Sequence, residues 1–331
     1  MKKICVLGAG SWGTALAIQA ARNGCLTLLW GHNADHIASS IEQRTNERYL
    51  PGVALPATLK LTSDLEEAAQ FCDTLLIAVP SRVFKDTLLK LSPLVSPDIQ
   101  IAWATKGFNP EDGSLLHHSI HSIFSADTAV AALSGPTFAR EVAADLPTAI
   151  TIASNKMAFA DELTSMLHSS RFRIYTSSDL IGVQVGGAVK NALAIAAGIA
   201  DGLNFGANTR AALITRGLHE IIRLGLKMGG RQETFMGLAG LGDLILTCTD
   251  NQSRNRRFGL AIGQNRDREA ARREINQEIE GVSAAKETYL LAKKFNIDMP
   301  ITEQTYNVLY NDLSPLIAVQ NLLEREQKPE N

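Results

Sequence analysis

Short runs of apolar residues, bounded by glycine, proline or polar residues, recur through the first half of the chain. Runs of about four to eight such residues are typical of buried β-strands, and stretches with helical spacing separate most of them. The pattern predicts strands at Lys3–Leu7 and Leu26–Trp30, and at LKLT, TLLIAV, IQIAWAT, AVAALSG, TAITIAS and FRIYT. This alternation favours a doubly wound α/β sheet, which ends near Ser178.

After Ser178 the strand-like runs stop, and apolar positions recur at helical spacing. Helices are predicted at Ile181–Ala200, Thr209–Met228, Arg266–Glu278 and Ser283–Phe295, and again from Glu303 onward. The predicted organisation is an α/β domain over residues 1–178, followed by an all-helical domain over residues 179–331. A crevice between two such domains would be the natural substrate site.

The first predicted strand leads into a glycine turn and a helix, as KKICVLGAGSWGTALAIQAARNG. Gly8, Gly10 and Gly13 form GxGxxG within a βαβ unit of about thirty residues, which is the context that the dinucleotide fingerprint requires. Gly8 would permit the tight turn, and Gly10 would let a pyrophosphate approach the backbone. Gly13 would let the helix pack closely on the strand. The first domain is therefore predicted to be Rossmann-like and to bind a dinucleotide at the helix N-terminus.

The end of the second predicted strand bears on cofactor choice. NAD-specific sites usually place an acidic residue there to hold the ribose 2′-hydroxyl. Here the strand ends LLWGHNAD, so Gly31 and His32 stand where the carboxylate would be. Nothing there repels a 2′-phosphate, which predicts that NADPH is accepted at least as well as NADH. Arg44 and Arg48 are candidates to reach that phosphate, with ordinary surface roles as the alternative.

Lys190 is the one charged residue among the twenty from Ile181 to Ala200. The segment has the length of a membrane span, but its lysine, amides and glycines favour a buried helix. A lysine extending from a helix end to water is the alternative. However, Lys190 is central, and Gly186, Gly187 and Ala194 would let a backbone or a ligand approach its amine.

Two further stretches carry candidate chemistry. Lys106, in WATKGF, follows a predicted strand, where ligands bind in such sheets, although a solvated loop lysine is the alternative. MGLAGLGDLILTCTDNQSRNRRFG places a tight glycine loop before Asp243 and then gathers hydroxyl, amide and guanidinium groups between Ser253 and Arg257. Such donors suit a phosphate monoester, and a basic, capped helix start is the alternative.

Composition narrows the class of protein. The chain has 331 residues, 45% of them hydrophobic, and a net charge of −2, which gives no general attraction to nucleic acid or to anionic membranes. Its four cysteines have no zinc-ligand spacing, so no metal is expected, and reduced cysteines favour a cytoplasmic location. MKKICVLGAG could be read as a signal peptide, but the glycine fingerprint accounts for the same residues.

Together these features indicate a single reaction. A dinucleotide site would provide hydride, two lysines could polarise and protonate a carbonyl oxygen, and the arginine-rich stretch could hold a phosphate. Apolar surroundings and a second lysine both disfavour a charged amine, which suits a group that exchanges a proton near neutral pH. The predicted substrate is a small phosphorylated ketone.

The chain resembles the bacterial-type glycerol-3-phosphate dehydrogenase [NAD(P)+] family over nearly its whole length. The motifs that match, in order, are GAGSWGTALA, VPS, WATKG, SGPTFAREVA, GVQVGGAVKNALAIAAGIADGL, GANTRAALITRG, MGLAGLGDLILTCTDNQSRNRRFG, EIEGVSAAK and MPITE. The resemblance implies reversible reduction of dihydroxyacetone phosphate to sn-glycerol 3-phosphate, a precursor of phospholipids. It also implies a cytoplasmic homodimer that inserts in no membrane.

Residue by residue, the resemblance assigns proton transfer to Lys190, with Lys106 and Asp243 as the other catalytic residues. The implied substrate contacts are Lys106, Gly135, Thr137, Lys190, Asn191, Asp243, Thr247, Ser253, Arg254 and Asn255. The implied cofactor contacts are Gly8, Gly10, Ser11, Trp12, Gly13, His32, Lys106, Ala139, Arg254 and Glu280. Trp12 stands where relatives often carry Tyr or Phe, and no catalytic position departs from the family pattern.

Two other functions fit parts of the sequence. A related two-domain reductase of another small keto or hydroxy acid would keep the fold, because arginine also binds carboxylate. A dinucleotide-binding sensor without catalysis would keep the glycine turn, but it would have no need for Lys106, Lys190 and Asp243 together.

Overall fold

The structure, a computed structural model, describes residues 1–326. It divides into two compact units, Met1–Gln184 and the remainder from Val185. This division falls within one continuous helix, Leu180–Gly202, so the predicted domain boundary after residue 178 stays a prediction.

The first unit is built on an eight-stranded sheet. Its strands and those of a small hairpin are β1 (Lys3–Leu7), β2 (Leu26–Trp30), β3 (Thr45–Asn46), β4 (Leu50–Ala54), β5 (Leu59–Thr62), β6 (Thr74–Ile77), β7 (Gln100–Trp103), β8 (Val130–Ser134), β9 (Thr148–Ser154) and β10 (Phe172–Ser177). The sheet order is β10-β9-β8-β7-β6-β1-β2-β5, and β3 pairs with β4 separately. All eight predicted strands lie in the sheet, which confirms the Rossmann-like fold.

Helices alternate with these strands. They are α1 (Ser11–Arg22), α2 (Ala34–Gln43), α3 (Leu65–Gln70), α4 (Ser81–Leu91), α5 (Leu116–Ile123), α6 (Ala139–Ala143) and α7 (Met157–Leu167). The alanine, leucine and isoleucine side chains of α1 are buried in one core with residues of the sheet. Burying this apolar surface drives the packing of helix on sheet.

Two features of this unit were not predicted. Strand β9 runs antiparallel to β8, whereas the other neighbours in the sheet are parallel. The residues Thr45–Ala54 form the β3–β4 hairpin, which interrupts the simple alternation of strand and helix. Apolar spacing indicates that a strand is buried, but it does not encode the direction of the strand.

The second unit is helical, as predicted. Its elements are α8 (Leu180–Gly202, which begins before the division), α9 (Gly206–Lys227), α10 (Gln232–Met236), a π-helical turn (Leu238–Gly242), α11 (Asp243–Thr249), α12 (Arg254–Gly263), α13 (Arg268–Ile275), α14 (Glu280–Phe295), α15 (Pro300–Tyr310) and α16 (Pro315–Leu323). The predicted tight glycine loop before Asp243 is the π-helical turn, and helices α10 to α12 are additional.

Helix α12 packs directly on the backbone of α8. A Cβ atom at Gly198 would lie 2.1 Å from the carbonyl oxygen of Arg256, and one at Gly259 would lie 2.1 Å from that of Ile195. Only glycine permits so close an approach. The contact places the start of α12 beside the helix that carries Lys190.

By length and composition α8 could cross a membrane, but 89% of its apolar window is buried within the structure. Core helices of globular proteins pass the same test, so the segment is weak support for a membrane span. The four cysteines are free thiols, three of them buried.

Candidate active site

The three glycines of the fingerprint differ in the space around them. A Cβ atom at Gly8, where φ is 123°, would lie 2.7 Å from the carbonyl oxygen of Ala78, and one at Gly13 would lie 2.0 Å from that of Gly8. Gly10 has φ of −79°, and a Cβ atom there would meet nothing within 4 Å. The fold therefore requires glycine at Gly8 and Gly13. At Gly10 the open space fits a group that approaches the backbone, such as a pyrophosphate.

The first turn of α1 follows this open space. Gly10 is its N-cap residue and supplies no capping side chain, which leaves the end of the helix suited to an anion. The Ser11 hydroxyl donates to the carbonyl oxygen of Tyr49 at 2.6 Å. The Trp12 indole packs against the core, and its Nε1 is buried without a hydrogen-bond partner among the described residues.

The residues at the end of β2 have different surroundings. A Cβ atom at Gly31 would lie 2.7 Å from the Ile37 side chain, so this position must stay small. The side chain of Asn33 caps α2 by accepting from the amide of His36 at 2.8 Å. This leaves His32, which is exposed, as the residue that can face an adenosine.

The two candidate arginines of this region differ. Arg44 donates through Nη2 to the carbonyl oxygens of Pro56 and Leu59, which is a structural role. The Arg48 guanidinium lies 5.2 Å from the centre of the Tyr49 ring and lines a polar cavity of about 420 Å³.

Lys106 meets the SGPTF segment at the carboxyl edge of the sheet. Lys106 follows β7, Gly135 follows β8, and the two strands are parallel neighbours, so both segments emerge at one edge. The Lys106 amine donates to the carbonyl oxygen of Gly135 at 3.2 Å, and the Thr137 hydroxyl donates to the same oxygen at 3.1 Å. Ala139 begins α6 two residues later. The structure thus assembles these four predicted residues.

The Lys190 amine is buried with two oxygen partners. Its side chain is 8% exposed, and Nζ lies 2.7 Å from Oδ1 of Asp243 and 2.6 Å from Oγ1 of Thr247. The Thr247 hydroxyl in turn donates to the backbone carbonyl of Asp243 at 2.6 Å. Asp243 is 1% exposed, so this is a buried ion pair.

Close packing brings this ion pair together. A Cβ atom at Gly186 would lie 2.5 Å from the carbonyl oxygen of Ala239, so the π-helical turn rests on α8 one turn before Lys190. Asp243 follows that turn directly. The sequence suggested that apolar surroundings disfavour a charged amine, but the carboxylate at 2.7 Å acts in the opposite direction and stabilises the ammonium.

Asn191 belongs to a second polar group that joins three helices of this unit. Its Oδ1 accepts from Nδ2 of Asn255 at 2.9 Å, and its Nδ2 lies 3.5 Å from Oε2 of Glu280. Oδ1 of Asn255 accepts from the amide of Gly281 at 2.8 Å. The starts of α12 and α14 are thereby held beside α8.

The arginine-rich start of α12 is both a capped helix and a binding candidate. The Ser253 hydroxyl is the N-cap and accepts from the amide of Arg256 at 3.2 Å. Arg254 is half-buried, and its Nη1 donates to Oε1 of Gln277 at 3.3 Å. The Arg256 guanidinium is buried and lies 2.5 Å from Oδ2 of Asp201, so it is already engaged in an ion pair within the protein. Of these two arginines, Arg254 is therefore the better suited to grip a phosphate.

Sequence reasoning missed the residues that hold these groups in place. Gln277 orients Arg254, and Asp201 anchors the start of α12 through Arg256. Asp201 lies within a matching motif, but neither residue was singled out, because the role of each depends on a partner 23 or 55 residues away. Among residues 1–326 no cluster of three metal-ligating side chains occurs, and the expectation of no metal stays a prediction.

Comparisons with known proteins identify the family of the chain. The sequence models described as NAD-dependent glycerol-3-phosphate dehydrogenase N-terminus and C-terminus match residues 3–160 and 179–320. The chain is 56% identical to glycerol-3-phosphate dehydrogenase [NAD(P)+] of Methylococcus capsulatus, covering 99% of this chain and 98% of the relative. It is 54% identical to the protein of the same name from Aeromonas hydrophila, with the same coverage of both chains.

A solved structure is similar over the same length. The crystal structure of glycerol-3-phosphate dehydrogenase from Coxiella burnetii superposes with a TM-score of 0.95 at 49% identity, covering 98% of this chain and 99% of that one. With matches to both halves and relatives above half identity, the chain belongs to the NAD-dependent glycerol-3-phosphate dehydrogenase family.

Proposed function

We propose that the chain catalyses the reversible reduction of dihydroxyacetone phosphate to sn-glycerol 3-phosphate with NAD(P)H. The observation that carries this proposal is the buried Lys190 amine, held by Asp243 and Thr247 in a member of this family. A bound nicotinamide supplies the hydride for the carbonyl carbon. The protein must then deliver a proton to the carbonyl oxygen.

Lys190 is the proton donor in this proposal. The ammonium carries three protons, and the acceptors on Asp243 and Thr247 orient it. The Asp243 charge keeps the amine protonated until the substrate oxygen gains negative charge. In the reverse direction the neutral amine accepts the proton of the hydroxyl group. Positioned acid–base catalysis of this kind is worth roughly 10²–10⁴ in rate.

Lys106 is assigned to the cofactor and the substrate carbonyl, with Gly135 and Thr137 as its neighbours. We assign the cofactor phosphates to Gly8, Gly10 and the first turn of α1, and the adenosine end to His32. The remaining cofactor contacts in the proposal are Ser11, Trp12, Gly13, Ala139, Arg254 and Glu280. Because Gly31 and His32 provide no carboxylate, NADPH should serve at least as well as NADH.

The phosphate of the substrate is assigned to Arg254, with Ser253 and Asn255 beside it. Removing one partner of a desolvated charge pair costs on the order of 2–5 kcal/mol. Arg254→Ala should therefore lower kcat/KM for dihydroxyacetone phosphate by roughly 30- to several-thousand-fold. Arg254→Lys should recover only part, because an ammonium lacks the planar fork of donors.

The test is one assay with two substrates. Loss of NADPH or NADH absorbance is followed with dihydroxyacetone phosphate and with unphosphorylated dihydroxyacetone. The poor rate with dihydroxyacetone should change much less in Arg254→Ala, because that substrate has no phosphate. Cofactor affinity is measured separately, since Arg254 is also a proposed cofactor contact. Equal losses for both substrates would contradict the phosphate assignment.

We further propose a cytoplasmic homodimer whose product enters glycerophospholipid synthesis. The support is the family resemblance together with the free cysteines. Light scattering of the purified chain would test the dimer, with a monomer mass as the contradicting result.

A further inference from the structure

Asn46 lies in the β3–β4 hairpin, which the sequence pattern did not predict, and its side chain reaches the glycine turn. It is 2% exposed. Its Nδ2 donates to the carbonyl oxygen of Ala9 at 3.0 Å and to Oγ1 of Thr14 at 2.8 Å. Ala9 lies between Gly8 and Gly10, and Thr14 lies in the first turns of α1. One amide nitrogen therefore contacts both the interior of the fingerprint, at Ala9, and the residue that follows its last glycine, Thr14.

The oxygen of the same amide is also engaged. Oδ1 of Asn46 lies 2.8 Å from Nε2 of His36 and 3.3 Å from the backbone amide of Tyr49. A carbonyl oxygen can only accept and a backbone amide can only donate, so Ala9 and Tyr49 together fix which way the side chain points. With the amide in this orientation, Nε2 of His36 would be the donor in its contact with Oδ1.

This arrangement controls the direction of a backbone amide. The peptide linking Ala9 to Gly10 is planar and trans, so its carbonyl oxygen and its N–H point in opposite directions. Since Asn46 holds the oxygen, the Gly10 N–H is turned away from the hairpin. The Ser11 hydroxyl adds a second link to the hairpin through the carbonyl oxygen of Tyr49 at 2.6 Å.

We propose that Asn46 is a positioning residue for the dinucleotide, acting through the Ala9–Gly10 peptide and the start of α1. The proposal rests on the proposed cofactor role of the glycine turn. Asn46 need not touch the cofactor. It keeps the backbone amides of the turn aimed at the place of the pyrophosphate, so that binding does not have to order them. The effect should be equal for NADH and NADPH, whose pyrophosphates are identical.

The experiment replaces the side chain and separates binding from turnover. Asn46→Ala should raise the Kd of both NADPH and NADH by roughly ten- to a hundredfold, because the turn loses its buried hydrogen bonds. At saturating cofactor, kcat should stay within about threefold of wild type, since the acid and the substrate groups are untouched. Kd is measured by fluorescence titration, and Tm is recorded for each variant.

Gln19 offers a matched control. It is also 2% exposed and lies on α1, but its Nε2 donates to the carbonyl oxygen of Leu167 at 2.8 Å, away from the turn. Gln19→Ala should lower Tm and leave both Kd values within about twofold of wild type. If Asn46→Ala raises Kd no more than this control does, the positioning role is wrong.

A second variant covers a failure of Asn46→Ala to fold. Asn46→Asp keeps the shape and the acceptor for Tyr49, but it cannot donate to Ala9, and it too should weaken both cofactors. A wild-type Kd in Asn46→Asp would overturn the proposal. Gly10→Val tests the turn itself. If Gly10→Val binds the cofactor weakly but the Asn46 variants bind it normally, only the positioning role is rejected. If all three variants bind the cofactor normally, the proposed cofactor site is rejected as well.

Discussion

Lys190→Met is expected to lower both the stability of the fold and the rate of catalysis. Adding Asp243→Asn should restore part of the stability but none of the rate, which distinguishes the two effects. The amine and its partner Asp243 are almost fully buried and lie 2.7 Å apart. Methionine is close in length to lysine and leaves no large cavity, but it leaves the Asp243 carboxylate buried without its counter-charge. The Thr247 hydroxyl, 3.4 Å from Oδ1, carries no charge and so does not replace the ammonium.

Breaking a buried pair from one side typically costs about 3–5 kcal/mol, whereas neutralising both sides is often close to neutral. Lys190→Met should therefore lower the free energy of unfolding by about 3–5 kcal/mol. The double variant Lys190→Met/Asp243→Asn should recover about 2 kcal/mol or more of this loss. The kcat should fall by roughly 10²–10⁴ in both variants, because neither has a proton donor.

Urea unfolding gives the stability of each variant, and turnover of dihydroxyacetone phosphate gives the rates. Lys293→Met is the control, since its partner Glu303 is partly exposed and the pair is worth no more than about 1 kcal/mol. If Lys190→Met kept more than about a tenth of wild-type kcat, Lys190 would not be the acid. Coupling between Lys190 and Asp243 below about 0.5 kcal/mol would refute the ion-pair argument.

Three other predictions concern separate regions. Gly10→Val should fold with nearly unchanged Tm, because a Cβ atom there meets nothing within 4 Å. It should bind NAD(P)H at least tenfold more weakly, which is a loss of about 1.4 kcal/mol or more in binding free energy. A large loss of Tm would contradict the open space at Gly10. His32→Asp should raise KM for NADPH relative to NADH by charge repulsion, and a wild-type enzyme strongly selective for NADH would refute this interpretation of the β2 end. Glu220 of α9 is 1% exposed and accepts hydrogen bonds from the amides of Ile301 and Thr302. Burial outweighs these bonds and raises the pKa of Glu220 from 4.5 to about 7. The folded state then keeps a proton that the unfolded state releases, so stability should fall by up to about 3 kcal/mol as pH rises between those values. Glu220→Gln should lack this slope in urea unfolding, and identical slopes in both proteins would contradict it.

Local sequence determines most of the secondary structure of this protein. The apolar runs specify eight strands because most of them are buried on both faces, although the edge strands β5 and β10 carry exposed residues. The glycine turn follows directly from the residue types at Gly8, Gly10 and Gly13. The helical second half follows from apolar spacing in the same way. The resemblance also named Lys190 and Asp243 together, although their side chains are 53 positions apart.

Only the tertiary structure decided how these residues are held. Local sequence suggested a lysine in apolar surroundings, and close packing at Gly186 supplied it with a buried carboxylate. It presented Arg254 and Arg256 as equals, and Asp201 made Arg256 a structural anchor. It contained no signal for Asn46, whose amide links the hairpin to the glycine turn. Periodicity reports which surface of a segment is buried, whereas hydrogen bonds and ion pairs between distant segments exist only once the backbone brings the partners together.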